Sequence, residues 1–315
     1  MPATTTESEQ AVRQSPAQRL RAAMDRGTVM APGAFNGLTA RAVARQGFEA
    51  AYVSGAATSA AAGVPDVGLL TLDRFVATVR EVVDGSRLSA GGQPLPVIAD
   101  ADTGFGEEEM TRRTVIEYQR AGAAGLHLED QVFPKRCGHL DGKTLIPAEQ
   151  AASKISWAAQ AARDCGDPAF IICARTDARG VSGMDDAIAR ATLYAKAGAS
   201  MIFPEGLRDE SEFEAFAKAM KQARVGDSDR SPYMLANMTE FGKTPMIPRD
   251  RFAELGYHFV IYPVSTLRVA MKAVEQLLAS LKADGGVDAS LGNMQTRAEL
   301  YDLLGYTPGE PWSFR

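Results

Sequence analysis

The sequence is poor in the residues from which disulfide frameworks and soft-metal sites are built: 315 residues carry three cysteines and three histidines. Cys137, Cys165 and Cys173 show no paired spacing, and His127, His139 and His258 do not cluster with them as zinc ligands do. That excludes a disulfide scaffold and a zinc module, and it points to a reducing compartment, the cytoplasm. Basic charge is scarce too. Against 39 acids stand 34 lysines and arginines, a net charge of -5, with no basic block or aromatic-interleaved basic stripe to neutralise a phosphate backbone. Nucleic acid is not expected as a partner. No apolar run reaches membrane-spanning length, and the polar, acidic residues 1–10 are not a basic start followed by an apolar run, so neither a span nor an export signal is expected.

What is present is ample apolar content, 45% of residues, enough for one large α/β barrel or two smaller domains. Residues 1–16, rich in Thr, Ser, Gln and Ala without apolar periodicity, read as a poorly ordered lead-in, and 17–315 as a single domain. From a first helix over 18–25 the chain repeats one unit, a short apolar run ending in a polar or turn residue and then a longer segment of helical period. The runs end at Pro32, Ser54, Asp100, Glu129, Arg175, Pro204, Asn237 and Tyr262. Eight such units predict a closed (β/α)8 TIM-type barrel; an open doubly wound sheet would show fewer strands and a glycine-rich phosphate turn after the first. Helices are expected over 107–121, 147–164 and 184–197. After the last strand a long amphipathic helix over 265–282, a break at 283–286 and a further helix near 294–304 extend the chain beyond a minimal barrel.

In such a barrel the carboxyl ends of the strands carry the active site. The third run closes with Asp100-Ala101-Asp102-Thr103-Gly104-Phe105-Gly106, two hard-oxygen donors followed by glycines that leave room for a ligand, a set suited to Mg²⁺. A helix-capping aspartate is the competing reading. Glu129-Asp130, Arg175-Thr176-Asp177 and Glu205 bring more charge to the same rim, and like charges converging there repel unless a cation neutralises them. Arg175 is suited either to pairing with one of these acids or to gripping a substrate carboxylate bidentately. Lys135-Arg136-Cys137-Gly138-His139 follows the fourth run on a loop, where two cations and a histidine beside a thiol favour the thiolate. Cys165 and Cys173 read as buried, inert thiols.

Taken together, these two motifs resemble the isocitrate lyase and phosphoenolpyruvate mutase superfamily over residues 32–301. The resemblance is closest to its 2-methylisocitrate lyase branch, through Asn237-Met238-Thr239-Glu240-Phe241-Gly242, Tyr262-Pro263-Val264-Ser265 and Met294-Gln295-Thr296-Arg297. It implies that Asp100 and Asp102 hold Mg²⁺, directly or through water, and that Cys137, beside His139, is the catalytic acid. It also implies a substrate site of Ser54, Gly55, Ala56, Gly138, Arg175, Glu205, Asn237, Thr239, Arg268 and Arg297, with Asp66 nearby. The 54–57 turn is poorer in glycine than is usual in the family. The implied reaction splits 2-methylisocitrate, a small tricarboxylate, into pyruvate and succinate. Tyr52 is the first candidate for the base and Glu129 the alternative. The resemblance further implies a homotetramer of dimers that exchange a terminal helix. Isocitrate lyases share the cysteine loop but are typically longer and differ over 237–242. Phosphonate mutases and hydrolases of the superfamily generally lack the loop, and a purely binding protein would keep an acid and metal ligands without a chemical use for them.

Overall fold

The computed structural model describes residues 14–89, 92–136, 142–242 and 244–312. Eight parallel strands follow one another around a ring: β1 (Val29–Pro32), β2 (Ala51–Val53), β3 (Val97–Asp100), β4 (Gly125–Glu129), β5 (Ile171–Thr176), β6 (Met201–Pro204), β7 (Tyr233–Asn237) and β8 (Phe259–Tyr262). β1 pairs with β8, and the remaining gap is closed by a bridge between Gly33 and Tyr52, beside which the Ala34 N–H donates to the Tyr52 carbonyl at 2.8 Å. The fold is the (β/α)8 barrel expected from the sequence, and every expected strand is present to within a residue at either end.

Strand side chains alternate between two cores because successive Cβ atoms point to opposite faces. One set, including Val53, Ala99, Leu126, Ile172, Ile202, Ala236 and Val260, packs outward on the surrounding helices. The other, including Ala31, Tyr52, Ile98, Cys173, Phe203, Leu235 and Ile261, fills the barrel. Helix α1 (Pro16–Arg26) belongs to this inner core through Ala17, Leu20, Ala23 and Met24. Arg19 donates to the Pro94 carbonyl at 2.7 Å and Arg21 to that of Ala169 at 2.6 Å, both just ahead of strands, so α1 plugs the amino-terminal end of the barrel. It starts at Pro16, because Ser15 and Gln18 form a capping box and proline suits the first helical position. The last residue of the expected lead-in is therefore helical.

The outer ring contains α2 (Gly37–Arg45), α3 (Gly55–Ala61), α4 (Leu72–Gly85), α5 (Glu108–Arg120), α6 (Ala148–Asp164), α7 (Met184–Lys196), α8 (Glu210–Met220) and α9 (Arg249–Leu255). Helix α3 corrects the reading of 54–57 as a turn: it begins directly after β2, capped by the Ser54 hydroxyl. Beyond β8, α10 (Ser265–Asp284) has no buried residue, and Val269, Met271, Val274, Leu278 and Leu281 are exposed along it. The chain then returns to pack α11 (Arg297–Leu304) near α2, with Arg41 Nε donating to the Leu303 carbonyl at 2.6 Å and Arg45 paired with Asp302. The final helix starts later than expected, at the Thr296/Glu299 capping box, after a short 3-10 segment over Asp288–Asn293. Among the described residues no helix is long and apolar enough to cross a membrane.

Candidate active site

The inward parity that fills the barrel with apolar side chains continues upward into polar ones. Ile98 leads to Asp100 and Asp102, His127 to Glu129, Cys173 to Arg175 and Asp177, Phe203 to Glu205, and Leu235 to Asn237. Alternation thus delivers one or two chemical groups from each of these five strands to the carboxyl-terminal mouth, and those at Asp100, Asp102, Glu129, Arg175, Asp177 and Glu205 are all buried.

Asp100 is held on both oxygens, Oδ2 accepting from the Gly55 N–H and Oδ1 from the Asp102 N–H, each at 3.0 Å. It caps no helix after its own strand, contrary to the competing sequence reading. Gly55 has to be glycine: a Cβ there would stand 2.6 Å from Asp100 Oδ2 and 3.3 Å from Asp102 Oδ1. Asp102 has φ of 44°, a left-handed conformation that costs a branched or bulky residue dearly and an aspartate less. Burial and the neighbouring Asp100 raise its pKa to about 6. Asp102 Oδ1 and Asp66 Oδ1 face the buried Lys135 ammonium at 2.9 and 2.5 Å. Gln131 fixes the stem beyond Lys135 by exchanging two 2.9 Å hydrogen bonds with the Arg136 backbone.

Across the mouth the Tyr52 hydroxyl and His127 Nε2 form a buried 2.7 Å hydrogen bond, with Asp100 Oδ1 3.7 Å from the same nitrogen. Burial lowers the His127 pKa to about 4, which keeps the ring neutral, and burial raises the Tyr52 pKa well above that of an ordinary phenol. His127 was missed as a site residue from the sequence. The available signal was its position two residues before Glu129, on the same face of the same strand.

Arg175 is surrounded by acids. Asp177 accepts from its Nε at 3.0 Å and from Nη2 at 3.2 Å, Glu129 Oε2 lies 3.3 Å from Nε, and Glu205 Oε2 lies 3.5 Å from Nη1. Its guanidinium also stands over the Phe203 ring, 5.2 Å from the centroid. Of the two readings of Arg175 left open by the sequence, the structure shows the pairing with acids, and it places the side chain at the mouth. Neither oxygen of Glu129 has a hydrogen-bond partner, and burial pushes its pKa well above the usual carboxylate range. Glu205 accepts from the Asn237 amide at 3.1 Å, leaving Asn237 Oδ1 buried without a partner. Lys143 pairs with Asp177 Oδ1 at 2.7 Å, both side chains being buried. Asp177 is one of the rim charges expected from the sequence; Lys143 was not among the expected site residues.

Ser54 and Ala56 sit at the start of α3, where the Ser54 hydroxyl accepts from the Ala57 N–H at 3.3 Å. Thr239 is half-buried just past β7. Arg268 is half-exposed, stacked over Phe241 at 5.4 Å, with Glu240 Oε2 3.7 Å away. Arg297 is exposed at the start of α11, and no contact among the described residues joins it to the strand-end cluster. Cys137, Gly138 and His139 lie outside the described residues. Cys173 is buried as expected, but Cys165 is exposed, because it caps the end of α6 instead of packing beneath it.

At this mouth Asp66, Asp100, Asp102, Glu129, Asp177 and Glu205 face the three cations Lys135, Lys143 and Arg175. The excess of acids over cations, with neither oxygen of the buried Glu129 accepting a hydrogen bond, fits a divalent cation. Among the described residues no three acidic, histidine or cysteine side chains are grouped to hold a metal by themselves. The paired hard carboxylates of Asp100 and Asp102 are of the type that suits Mg²⁺, which binds through one or two carboxylates and keeps several waters.

The sequence profile of a family described as phosphoenolpyruvate phosphomutase matches residues 20–282. A probable 2-methylisocitrate lyase of Corynebacterium glutamicum is 50% identical over 87% of this chain and 84% of its own. A 2-methylisocitrate lyase of Aeropyrum pernix is 46% identical over 89% and 84%. Among solved structures, 2,3-dimethylmalate lyase, described as a member of the PEP mutase/isocitrate lyase superfamily, superposes with a TM-score of 0.83 at 33% identity over 93% of this chain and 92% of that one. Phosphonopyruvate hydrolase in complex with oxalate and Mg²⁺ superposes with a TM-score of 0.77 at 28% identity over 93% and 95%.

Proposed function

The chain belongs to the phosphoenolpyruvate phosphomutase family, and on that premise we propose that it is a Mg²⁺-dependent carbon–carbon lyase cleaving 2-methylisocitrate to pyruvate and succinate. The observation that carries the reading is the ring of strand-end groups, an acid pair facing a phenol–imidazole pair and a guanidinium, on a chain 46% identical to a 2-methylisocitrate lyase.

Asp102 and Asp100 would hold Mg²⁺, directly or through water, and the ion supplies positive charge to the oxygens of the pyruvate half. Tyr52 is the base. Its hydroxyl takes the substrate hydroxyl proton while passing its own to Nε2 of His127, which receives it in the neutral tautomer that carries its proton on Nδ1. The C2–C3 bond then breaks, leaving C2 as the ketone carbon of pyruvate and an electron pair on the succinate carbon. Arg175 and Asn237, with Thr239, hold the carboxylates over which that charge spreads. Cys137, beside His139 and Gly138, returns a proton to the carbon. Ser54, Gly55 and Ala56 present the first turn of α3 to the substrate, whose fit Glu205 secures by orienting Asn237. Glu129 is the alternative base, and a His127→Asn variant with undiminished turnover would transfer the role to it.

The exposed apolar side chains of α10 support exchange of this helix between two barrels, and we read the assembly as a homotetramer of such dimers acting in the cytoplasm. Arg268 and Arg297, which flank that arm, then reach the substrate only in the assembled enzyme.

The deciding experiment incubates the protein and Mg²⁺ separately with 2-methylisocitrate, isocitrate, 2,3-dimethylmalate and phosphonopyruvate. Pyruvate and succinate in equal amounts from the first, at the highest kcat/KM of the four, are expected. Faster release of glyoxylate from isocitrate, of propionate from 2,3-dimethylmalate or of phosphate from phosphonopyruvate would reject the assignment.

A further inference from the structure

Arg175 is in an awkward electrostatic position for a group that must attract an anion. The carboxylates of Asp177 and Glu205 both approach its guanidinium within 3.5 Å, with Glu129 beside them, so its single positive charge is outnumbered by its own neighbours. Such a cation offers an incoming carboxylate little net attraction. The structure contains a remedy on the far side of Asp177. Lys143 Nζ lies 2.7 Å from Asp177 Oδ1, the same oxygen that faces Arg175 Nη2 at 3.2 Å. Asp177 cannot readily turn away from either partner. Its backbone N–H is held by Asp130 Oδ1 at 3.0 Å, and Asp130 is itself tied to Thr176, Tyr194 and Arg190.

We propose that Lys143 is a positioning residue for substrate affinity: by compensating Asp177, it leaves the positive charge of Arg175 available to a substrate carboxylate. Lys143 itself touches no substrate. A role confined to holding the chain in place would make any well-packed substitute sufficient; compensation requires a positive charge at this position and requires Asp177 to be ionised. The inference rests on the reading that Arg175 grips a carboxylate of the substrate.

The test is a double-variant cycle on the Mg²⁺-loaded protein, with succinate affinity measured by calorimetry and KM and kcat for 2-methylisocitrate measured in parallel. K143M should weaken succinate binding at least tenfold and raise KM by a similar factor, with a smaller fall in kcat, and K143R should recover most of the loss. Because Lys143 acts through Asp177, adding K143M to D177N should change succinate affinity less than twofold. Succinate binding by K143M within twofold of the parent protein overturns the proposal. So does a tenfold loss on adding K143M to D177N, and that comparison decides the matter if K143M alone does not fold. Succinate binding reads the grip of Arg175 directly. If the parent protein binds succinate but leaves 2-methylisocitrate intact, the functional assignment fails while the cycle still judges Lys143.

Discussion

At the scale of single residues, burial at the mouth of the barrel moves the titration of its groups away from where water sets it. Asp102 has a pKa of about 6 against an ordinary 3.8, so between those values the folded protein holds more protons than the unfolded chain, and stability falls as pH rises through that window. Above it the carboxylate is charged at full cost. A divalent cation relieves that cost only where Asp102 is ionised, so Mg²⁺ should raise Tm more at about pH 7.5 than at about pH 5, as read by scanning calorimetry. An equal shift at both would remove Asp102 from the metal site. His127 acts in the opposite sense: its pKa of about 4 lies below 6.5, so stability present above 6.5 is lost as pH falls towards 4. Outside the described residues, Cys137→Ser should lower kcat by roughly 10²- to 10⁴-fold, since a hydroxyl is a far weaker acid than a thiol. Succinate affinity should be little changed, and near-normal turnover would end the role given to that thiol.

At the scale of elements, α1 and α3 do work that their lengths do not advertise. Helix α1 seals the floor of the barrel with Leu20 and Met24, both almost fully buried. Leu20→Ala should cost about 2–5 kcal/mol by loss of burial plus the cavity left behind. Ser15→Ala, which removes only the cap, should cost about 1 kcal/mol. Chemical denaturation separates the two, and a Leu20 variant no weaker than the Ser15 variant would show that α1 is not part of the core. Helix α3 places the Gly55 N–H against Asp100. Gly55→Ala should push that carboxylate aside and lower kcat/KM by about 10²-fold, measured with Mg²⁺ saturating, while the change in Tm stays small beside that of Leu20→Ala.

At the scale of the whole molecule, α10 is the element that a single chain leaves without a use. A 20-residue helix with no buried side chain and an exposed row at Met271, Val274, Leu278 and Leu281 is stable only when something covers it. Light scattering should report a tetramer, and Val274→Glu combined with Leu278→Glu should give smaller species with lower kcat/KM. A monomeric parent protein would refute the exchange.

Much of the architecture was legible in the sequence because it is governed by short-range rules. Period-two and period-3.6 patterning marks strands and helices, and eight repeated units leave little choice but a closed barrel. The same period would have pointed to His127, two residues before Glu129 and on its face. Capping chemistry at Ser15 and Ser54 was equally local, yet it was read as lead-in and turn. Other features depend on residues far apart in the chain. That Lys143 meets Asp177, that Tyr52 hydrogen-bonds with His127, and that Gly55 must lack a Cβ to admit Asp100 are facts of closure, since only the completed ring sets strand ends face to face. The sequence by itself determined which strand-end groups stand at the mouth, because alternation sends every second residue inward. Only the tertiary structure decided which charge compensates which, because pairing energies depend on distance and burial across strands and not on order along the chain.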